Sequence, residues 1–254
     1  MRIDEIQKHN RTKYDPVASA GHVKSLLRGP FSQAWKAYVS RDSRASLWKG
    51  YQEGIYGPAP AGVVIADSNL GTRKSRNTEN YYTLLVDNLP AFKGWPKRSK
   101  SFITTNSWTL ASGYTMGEGM VYLVLPINNT KLAYVNQPDI WDAPIHLTPT
   151  EVVRLLRVNK YFARMGASDI DWNHFRQSLD VAEHSENGAD FKFDYGYTPN
   201  QFFNLVKKNM TPKALGFTLE KIGARKTLAS EVWFSGKALF MTKGTADKYL
   251  DANS

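Results

Sequence analysis

The sequence predicts an α+β fold, because predicted helices and predicted strands occur in separate runs along the chain and do not alternate. The first 40 residues have helical periodicity, short apolar strands fill the middle, and further helices precede two final strands. The chain of 254 residues is 42% hydrophobic and 13% aromatic, which favours a packed globular protein over disorder. We therefore expect a single domain over 1–254, with antiparallel strand pairs around the turns.

The N-terminal segment 1–45 is predicted to be helical. PVASAGHVKSLLRG (16–29) and PFSQAWKAYVS (30–40) carry apolar residues three to four positions apart, each with Pro near its start. The aromatic stretch SLWKGY (46–51) then predicts a strand.

A loop, a helix and three strands are predicted for the middle of the chain. GPAPAG (57–62) has loop composition, and ENYYTLLVDNL (79–89) fits a helix. The strands are SFITT (101–105), MVYLVLP (120–126) and KLAYV (131–135), with a turn at Asn128–Asn129 before the last of them.

Three helices and two strands complete the prediction. The helices are 148–166, 171–185 and 198–209, and in the first of them Thr148, Pro149 and Glu151 have capping-box spacing. EVWFSGKALFM (231–241) predicts a strand, a Ser-Gly turn and a second strand.

Composition excludes several classes of function. The chain has no Cys, which rules out disulfides, Cys-ligated zinc and thiol catalysis, and its five His show no metal spacing. No GxGxxG follows a strand, which argues against Rossmann-type hydride transfer. We expect no transmembrane span, no ordinary signal peptide, no metal and a cytoplasmic monomer. The net charge of +10 is scattered over the chain and favours polyanionic partners only on average.

Three separated motifs together resemble the ADP-ribosyltransferase fold, in its toxin-like branch with an Arg–Ser–Glu triad. The motifs occur in the family's order: an aromatic-basic-Gly strand, a hydroxyl-rich strand followed by a short helix, and a Glu at the start of a late strand. They are Trp48-Lys49-Gly50, Phe102-Ile103-Thr104-Thr105-Asn106 with Ala111 and Tyr114, and Glu231 in LASEVWFSGKALFM (228–241).

The resemblance implies a split antiparallel sheet with an N-terminal helical segment, a helical insertion at 148–210, and cleavage of NAD between nicotinamide and ribose. ADP-ribose would then pass to a protein or nucleic-acid acceptor. It implies catalytic roles for Glu231, Thr104 and Thr105. It further implies NAD contacts from Lys49, Gly50, Phe102, Thr104, Asn106 and Tyr114. Arg73 and Arg76 are additional basic residues that would contact NAD.

This sequence departs from the family pattern at three places. Lys49 replaces the arginine and lacks its planar fork, so Arg73, Arg76 or Arg98 is an alternative ligand for the diphosphate. Thr-Thr-Asn replaces Ser-Thr-Ser. Ala229 stands at the acceptor-selecting position two residues before Glu231, where arginine-modifying members have Glu and asparagine-modifying members have Gln.

Three hypotheses remain open on the sequence alone. The first is an NAD-consuming ADP-ribosyltransferase in which 148–210 and the turn 218–230 help to select the acceptor. The second is a basic nucleic-acid-binding or structural protein without activity, which Lys49 in place of arginine favours. The third is an effector with the first chemistry that is delivered into a host or target cell.

Overall fold

The computed structural model describes residues 14–40, 45–51, 61–72, 81–115, 120–138, 173, 199–224 and 228–251. The helices in these ranges are α1 (Ala20–Arg28), α2 (Ser32–Val39), α3 (Tyr81–Asn88), α4 (Trp108–Gly113), α5 (Pro199–Asn209) and α6 (Lys243–Asp251). The strands are β1 (Tyr14–Pro16), β2 (Leu47–Tyr51), β3 (Val64–Asp67), β4 (Phe102–Thr105), β5 (Met120–Pro126), β6 (Lys131–Tyr134), β7 (Thr218–Lys221), β8 (Glu231–Phe234) and β9 (Lys237–Thr242).

The predicted α+β class is confirmed by a large antiparallel sheet accompanied by helices. Within the described residues nine strands pair in the order β1-β3-β9-β5-β2-β4-β8-β6-β7, and each of these pairings is antiparallel. The split sheet and the family fold stay predictions.

Most predicted elements on described residues have the expected type, but two predictions are wrong. Strand β1 lies within the segment 1–45 that was predicted to be helical, and β7 lies within the predicted turn 218–230. Both are strands because they pair with distant segments, β1 with β3 and β7 with β6, which no local pattern indicates. Helices α1, α2, α3 and α5 and strands β2, β4, β5, β6, β8 and β9 lie where periodicity places them, with ends shifted by a few residues. Helix α1 begins one residue after Ser19, whose hydroxyl accepts a hydrogen bond from the His22 backbone N–H at 3.2 Å. The predicted helix 148–166 lies outside the described residues, and so does 171–185 apart from residue 173, which is helical.

The prediction that strands pair around the two turns is wrong. Strand β8 pairs with β4 and β6, whereas β9 pairs with β3 and β5, so the Ser235–Gly236 turn joins two strands that do not pair with each other. The Asn128–Asn129 turn likewise joins β5 to β6, which pair with other strands. Gly236 has a φ of 107°, a conformation that suits glycine, and a local signal of this kind marks a turn without choosing the partners of the strands.

The sheet must curl strongly, because the connection between β8 and β9 is too short to span a flat sheet. Three strands separate β8 from β9 in the sheet, which would place them about 19 Å apart if the sheet were flat. Residues 234 and 237 are three steps apart along the chain, and three steps span at most about 11 Å. The Phe102 ring on β4 contacts the Phe240 ring on β9 at 5.1 Å between centroids, although β2 and β5 lie between their strands. The aromatic core therefore lies on the concave side of the sheet.

Two buried clusters cover the two sides of the sheet. The first cluster contains Leu47, Tyr51, Phe102, Val232 and Phe240 among others, all from strands. The second combines strand residues with residues of α1, α2, α4 and α6, and it is made of Val23, Leu27, Phe31, Ala34, Trp35, Tyr38, Trp48, Val63, Ala111, Leu123, Leu125, Leu239, Met241 and Ala246. We call these the strand-only face and the helix-covered face.

One polar contact joins α2 to α6 on the helix-covered face. The Tyr38 hydroxyl donates to Asp247 Oδ1 at 2.6 Å, and Asp247 also accepts from Lys243 Nζ at 2.7 Å. Burial, followed by this bond, raises the pKa of Tyr38 above its ordinary value.

The chain divides into two compact units. The first comprises Met1–Arg73, Trp95–Asp142 and Phe217–Ser254 and contains the whole sheet, and the second comprises Lys74–Gly94 and Ala143–Gly216. The second unit contains α3 and α5, in which Leu85, Val86, Phe203 and Val206 are buried. The single domain expected over 1–254 stays a prediction. None of the described helices is long and apolar enough to cross a membrane.

Candidate active site

The three motifs that carry the resemblance lie on three neighbouring strands. Strands β2, β4 and β8 are consecutive in the sheet, although their motifs are far apart in the sequence. Trp48 is opposite Thr105 in the β2–β4 pair, and Thr105 is opposite Glu231 in the β4–β8 pair. The structure therefore brings one catalytic threonine and the catalytic glutamate of the prediction side by side.

The other predicted residues divide between the two faces of the sheet. Side chains alternate along a strand, and Leu47 and Tyr51 on β2 and Val232 on β8 belong to the strand-only face. Glu231, next to Val232, therefore shares the opposite face with Thr105 and Trp48. By the same alternation Lys49 and Thr104 lie on the strand-only side.

Glu231 is buried and paired with an arginine. Arg98 Nη2 donates to Glu231 Oε1 at 3.2 Å and to Oε2 at 3.5 Å, and the two side chains are 5% and 7% exposed. Arg98 begins a 3₁₀ turn, Arg98–Lys100, immediately before β4. Sequence reasoning named Arg98 only as an alternative diphosphate ligand. The sequence places Arg98 among other basic residues in KGWPKRSK (93–100), but it does not indicate the pairing with a carboxylate 133 residues later.

The arginine is held in place by the loop that leads to it. The Ser101 hydroxyl donates to the Lys97 carbonyl at 2.7 Å and so closes the turn around Arg98. Trp233 Nε1, on the same face of β8 as Glu231, donates to the Pro96 carbonyl at 3.2 Å. These bonds hold residues 96–101 against β8, and they place the guanidinium over the carboxylate.

The backbone of Glu231 is also fixed. Its N–H donates to the Gln137 carbonyl at 2.9 Å, and its carbonyl accepts from the Val135 N–H at 2.9 Å. With β4 on the other side, the residue lies between two hydrogen-bonded neighbours. Its side chain direction is therefore set by the sheet.

Asn106 clamps the segment that precedes Glu231. Its Oδ1 accepts from the Ser230 N–H at 2.7 Å, and its Nδ2 donates to the Leu228 carbonyl at 3.0 Å. Asn106 is 3% exposed, and Ser230 is also buried, whereas Leu228 is 56% exposed and Ala229 is exposed. Both polar atoms of the Asn106 side chain, which was predicted to contact NAD, thus bond to protein backbone.

The hydroxyls of the two threonines also have backbone partners. Thr104 Oγ1 donates to the Val232 carbonyl at 2.9 Å, across the β4–β8 pair. Thr105 Oγ1 accepts from the Ser107 N–H at 3.2 Å, and the Ser107 hydroxyl in turn accepts from the Leu110 N–H at the start of α4. These bonds fix the strand end and the helix that follows it.

The remaining described residues of the predicted NAD site have different surroundings. Lys49 Nζ donates to the Ile103 carbonyl at 3.2 Å and so links β2 to β4. Phe102 packs on the strand-only face against Phe234 and Phe240. Tyr114 is 49% exposed at the end of α4, and this helix lies against Gly50. Tyr114 is thus the most accessible aromatic residue of the predicted set.

Arg73 and Arg76 lie outside the described residues. The segment just before them is tethered, because Lys100 Nζ donates to the Gly71 carbonyl at 3.0 Å and to the Thr72 hydroxyl at 2.8 Å. Trp48 contributes a feature that the sequence did not indicate. Its indole N–H is buried and has no hydrogen-bond partner in the described part of the chain, in the same row of side chains as Thr105 and Glu231.

The arrangement offers a buried carboxylate beside a guanidinium, with the Thr105 side chain on the same face of the sheet and Thr104 on the opposite face. Among the described residues no group of three or more His, Cys, Asp or Glu is placed to hold a metal ion. Comparisons with protein-family models, curated proteins and solved structures give no match to this chain.

Proposed function

We propose that the protein is an NAD-dependent ADP-ribosyltransferase in which Glu231 is the catalytic carboxylate. The reaction breaks the bond between nicotinamide and ribose, and the bonding electrons leave with the pyridinium nitrogen, which becomes neutral. A nucleophilic atom of a protein or nucleic acid then bonds to the ribose carbon and loses its proton. When water takes the place of that nucleophile, the product is free ADP-ribose.

The chemistry needs negative charge close to a developing sugar cation. Glu231 provides that charge, and its carboxylate accepts a hydrogen bond from a ribose hydroxyl, as carboxylates and 2-hydroxyls do in glycoside hydrolysis. An ionised carboxylate has about four acceptor positions, and Arg98 Nη2 occupies one on each oxygen. Acceptor positions therefore remain for the ribose while Arg98 holds the orientation of the carboxylate.

The observation that carries the proposal is the adjacency of β2, β4 and β8. Three motifs chosen from the sequence because of their resemblance to one family occur on three consecutive strands, with Thr105 and Glu231 in direct register. Gly50, Tyr114, Arg73 and Arg76 are retained in the proposal as NAD contacts, whereas Lys49 lies on the opposite face of the sheet from Glu231 and is not retained. Of these, Tyr114 is proposed to stack on the nicotinamide ring.

The first experiment measures nicotinamide release from NAD by the wild-type chain and by Glu231→Gln, with and without candidate acceptors. We expect release by the wild type and a decrease of about 10²–10³-fold in the variant, because one electrostatic contact to the transition state is removed. Asp15→Asn, which makes the same change at an exposed residue of β1, should keep the wild-type rate. Both variants are assayed well below their unfolding temperatures, since the substitution of Glu231 also removes the partner of Arg98.

A second candidate function is a basic binding protein that has no catalytic activity. The observation that favours it is the burial of Glu231 with Arg98, since an enclosed ion pair can serve structure alone. Under this alternative no nicotinamide is released above background by the wild type, while Glu231→Gln still lowers the unfolding temperature. That combination would refute the enzyme proposal.

A further inference from the structure

The segment before Glu231 is held mainly by two hydrogen bonds from the side chain of Asn106, both shorter than the backbone hydrogen bond there. The β4–β8 pair ends at Thr105 and Glu231, and the next backbone bond, from the Asn106 N–H to the Ser230 carbonyl, is long at 3.4 Å. The Asn106 amide continues the pairing in place of backbone, since its oxygen accepts from the Ser230 N–H and its nitrogen donates to the Leu228 carbonyl.

The two bonds fix the directions of successive side chains in the turn. Ser230 and Glu231 are buried, whereas Leu228 and Ala229 are exposed. The change from exposed to buried occurs within the part of the chain that the amide clamps. Asn106, the residue that follows β4, thereby decides that residue 229 is presented outward while Glu231 stays inward.

We infer that Asn106 is a positioning residue that holds the 228–230 turn, and that it thereby sets how ADP-ribose is divided between an acceptor and water. This inference rests on the proposed function, in which the exposed turn contacts the acceptor and Glu231 contacts the ribose. Loosening the turn reduces transfer to the acceptor more than hydrolysis, because the acceptor is then misplaced. Hydrolysis is affected less, because water needs no docking surface and Glu231 keeps its backbone bonds to Val135 and Gln137.

An amide is the side chain that this position requires. Asn106→Asp keeps an acceptor for the Ser230 N–H but places an oxygen against the Leu228 carbonyl, so the second bond is lost. Asn106→Ala loses both bonds. Asn106→Ser, which is smaller, can keep at most a partial contact and serves as the mild variant if the other two fold poorly.

The test measures two quantities in the full chain, with candidate protein and nucleic-acid acceptors as probes. The first is amide hydrogen exchange of residues 228–231, which needs no activity. The second is the ratio of ADP-ribose transferred to ADP-ribose hydrolysed. We expect faster exchange in all three Asn106 variants. We also expect a fall of about tenfold or more in the ratio, because a misplacement of about 1 Å at a reacting centre can cost about 10²-fold in rate.

The matched control is Asn88→Asp, which also loses an amide-to-carbonyl bond, from Asn88 Nδ2 to the Leu84 carbonyl, but at an exposed site. It should leave both quantities unchanged. Unaltered exchange at 228–231 in the Asn106 variants would overturn the clamp. Faster exchange with an unaltered ratio would overturn its role in partition. Absence of activity in the wild type together with faster exchange would overturn the proposed function and the partition, and would leave the clamp supported.

Discussion

At the scale of single residues, the ion pair between Arg98 and Glu231 is the most consequential contact in the candidate site. Both side chains are almost completely buried, so each charge has lost most of its hydration. A buried pair gains little net free energy compared with apolar residues of the same size, because desolvation offsets the attraction. Removal of one partner lowers the free energy of unfolding much more, since the other charge is then left buried without compensation. The pair is therefore a sensitive position for both stability and function.

The first stability prediction concerns Arg98→Met. We expect the free energy of unfolding to fall by roughly 3–5 kcal/mol, because the Glu231 carboxylate stays buried without its partner. The double variant Arg98→Met/Glu231→Leu should recover most of that loss. Urea denaturation measures both.

The control is Lys243→Met, which breaks the exposed pair with Asp247. Those side chains are 57% and 40% exposed, and an exposed pair contributes roughly 0–1 kcal/mol. A double variant no more stable than Arg98→Met would contradict the pairing of Arg98 with Glu231.

At the scale of elements, the close packing of β2 against α4 determines the position of Tyr114 at the end of that helix. A Cβ placed on Gly50 would overlap the Ala111 carbonyl oxygen and come within 3.0 Å of Tyr114 Cβ. Ala111 lies in α4 and Tyr114 directly follows it, and the carbonyl oxygen is a backbone atom that cannot rotate away. The glycine in the aromatic-basic-Gly motif thus has a steric reason, which is the close approach of a helix to a strand.

Gly50→Ala is predicted to lower the free energy of unfolding by roughly 1–3 kcal/mol, since α4 must shift away from β2 to admit the methyl group. The shift should also weaken any ligand contact of Tyr114. Gly21→Ala is the matched control, because nothing lies within 4 Å of the added atom in α1. It should stabilise the protein by roughly 0.5–1 kcal/mol through helix propensity. Equal effects of the two substitutions in urea denaturation would contradict the packing argument.

At the scale of the whole molecule, the net charge is the property from which a binding behaviour can be predicted. The charge of +10 attracts polyanions at long range, whatever the site does. The charge is scattered along the sequence, so we expect it to support weak association and not specific recognition.

We therefore predict non-specific binding of a labelled single-stranded oligonucleotide with a Kd of roughly 10⁻⁴–10⁻⁶ M at physiological salt. Binding should weaken steeply between roughly 50 and 200 mM salt, because contacts to phosphates release counterions and this release is less favourable at higher salt. Fluorescence anisotropy measures this, and Glu231→Gln should bind as the wild type does. Tight binding that resists salt would instead favour the non-catalytic binding protein.

The sequence by itself determined the types of most described elements and the positions of the candidate carboxylate and hydroxyls. Helical and strand periodicity depend on residues a few positions apart, so they can be recognised without the fold. Glu231 was placed correctly at the start of a strand, and Thr105 at the end of one.

Only the tertiary structure decided which strands pair, which face each side chain occupies and which arginine meets Glu231. The two turns predicted as hairpins connect strands that do not pair with each other, because pairing depends on segments far away in the chain that compete for each strand edge. Arg98 and Glu231 are 133 residues apart, and Asn106 reaches a turn 122–124 residues later. Contacts over such separations arise from the curled sheet as a whole, and no local pattern encodes them.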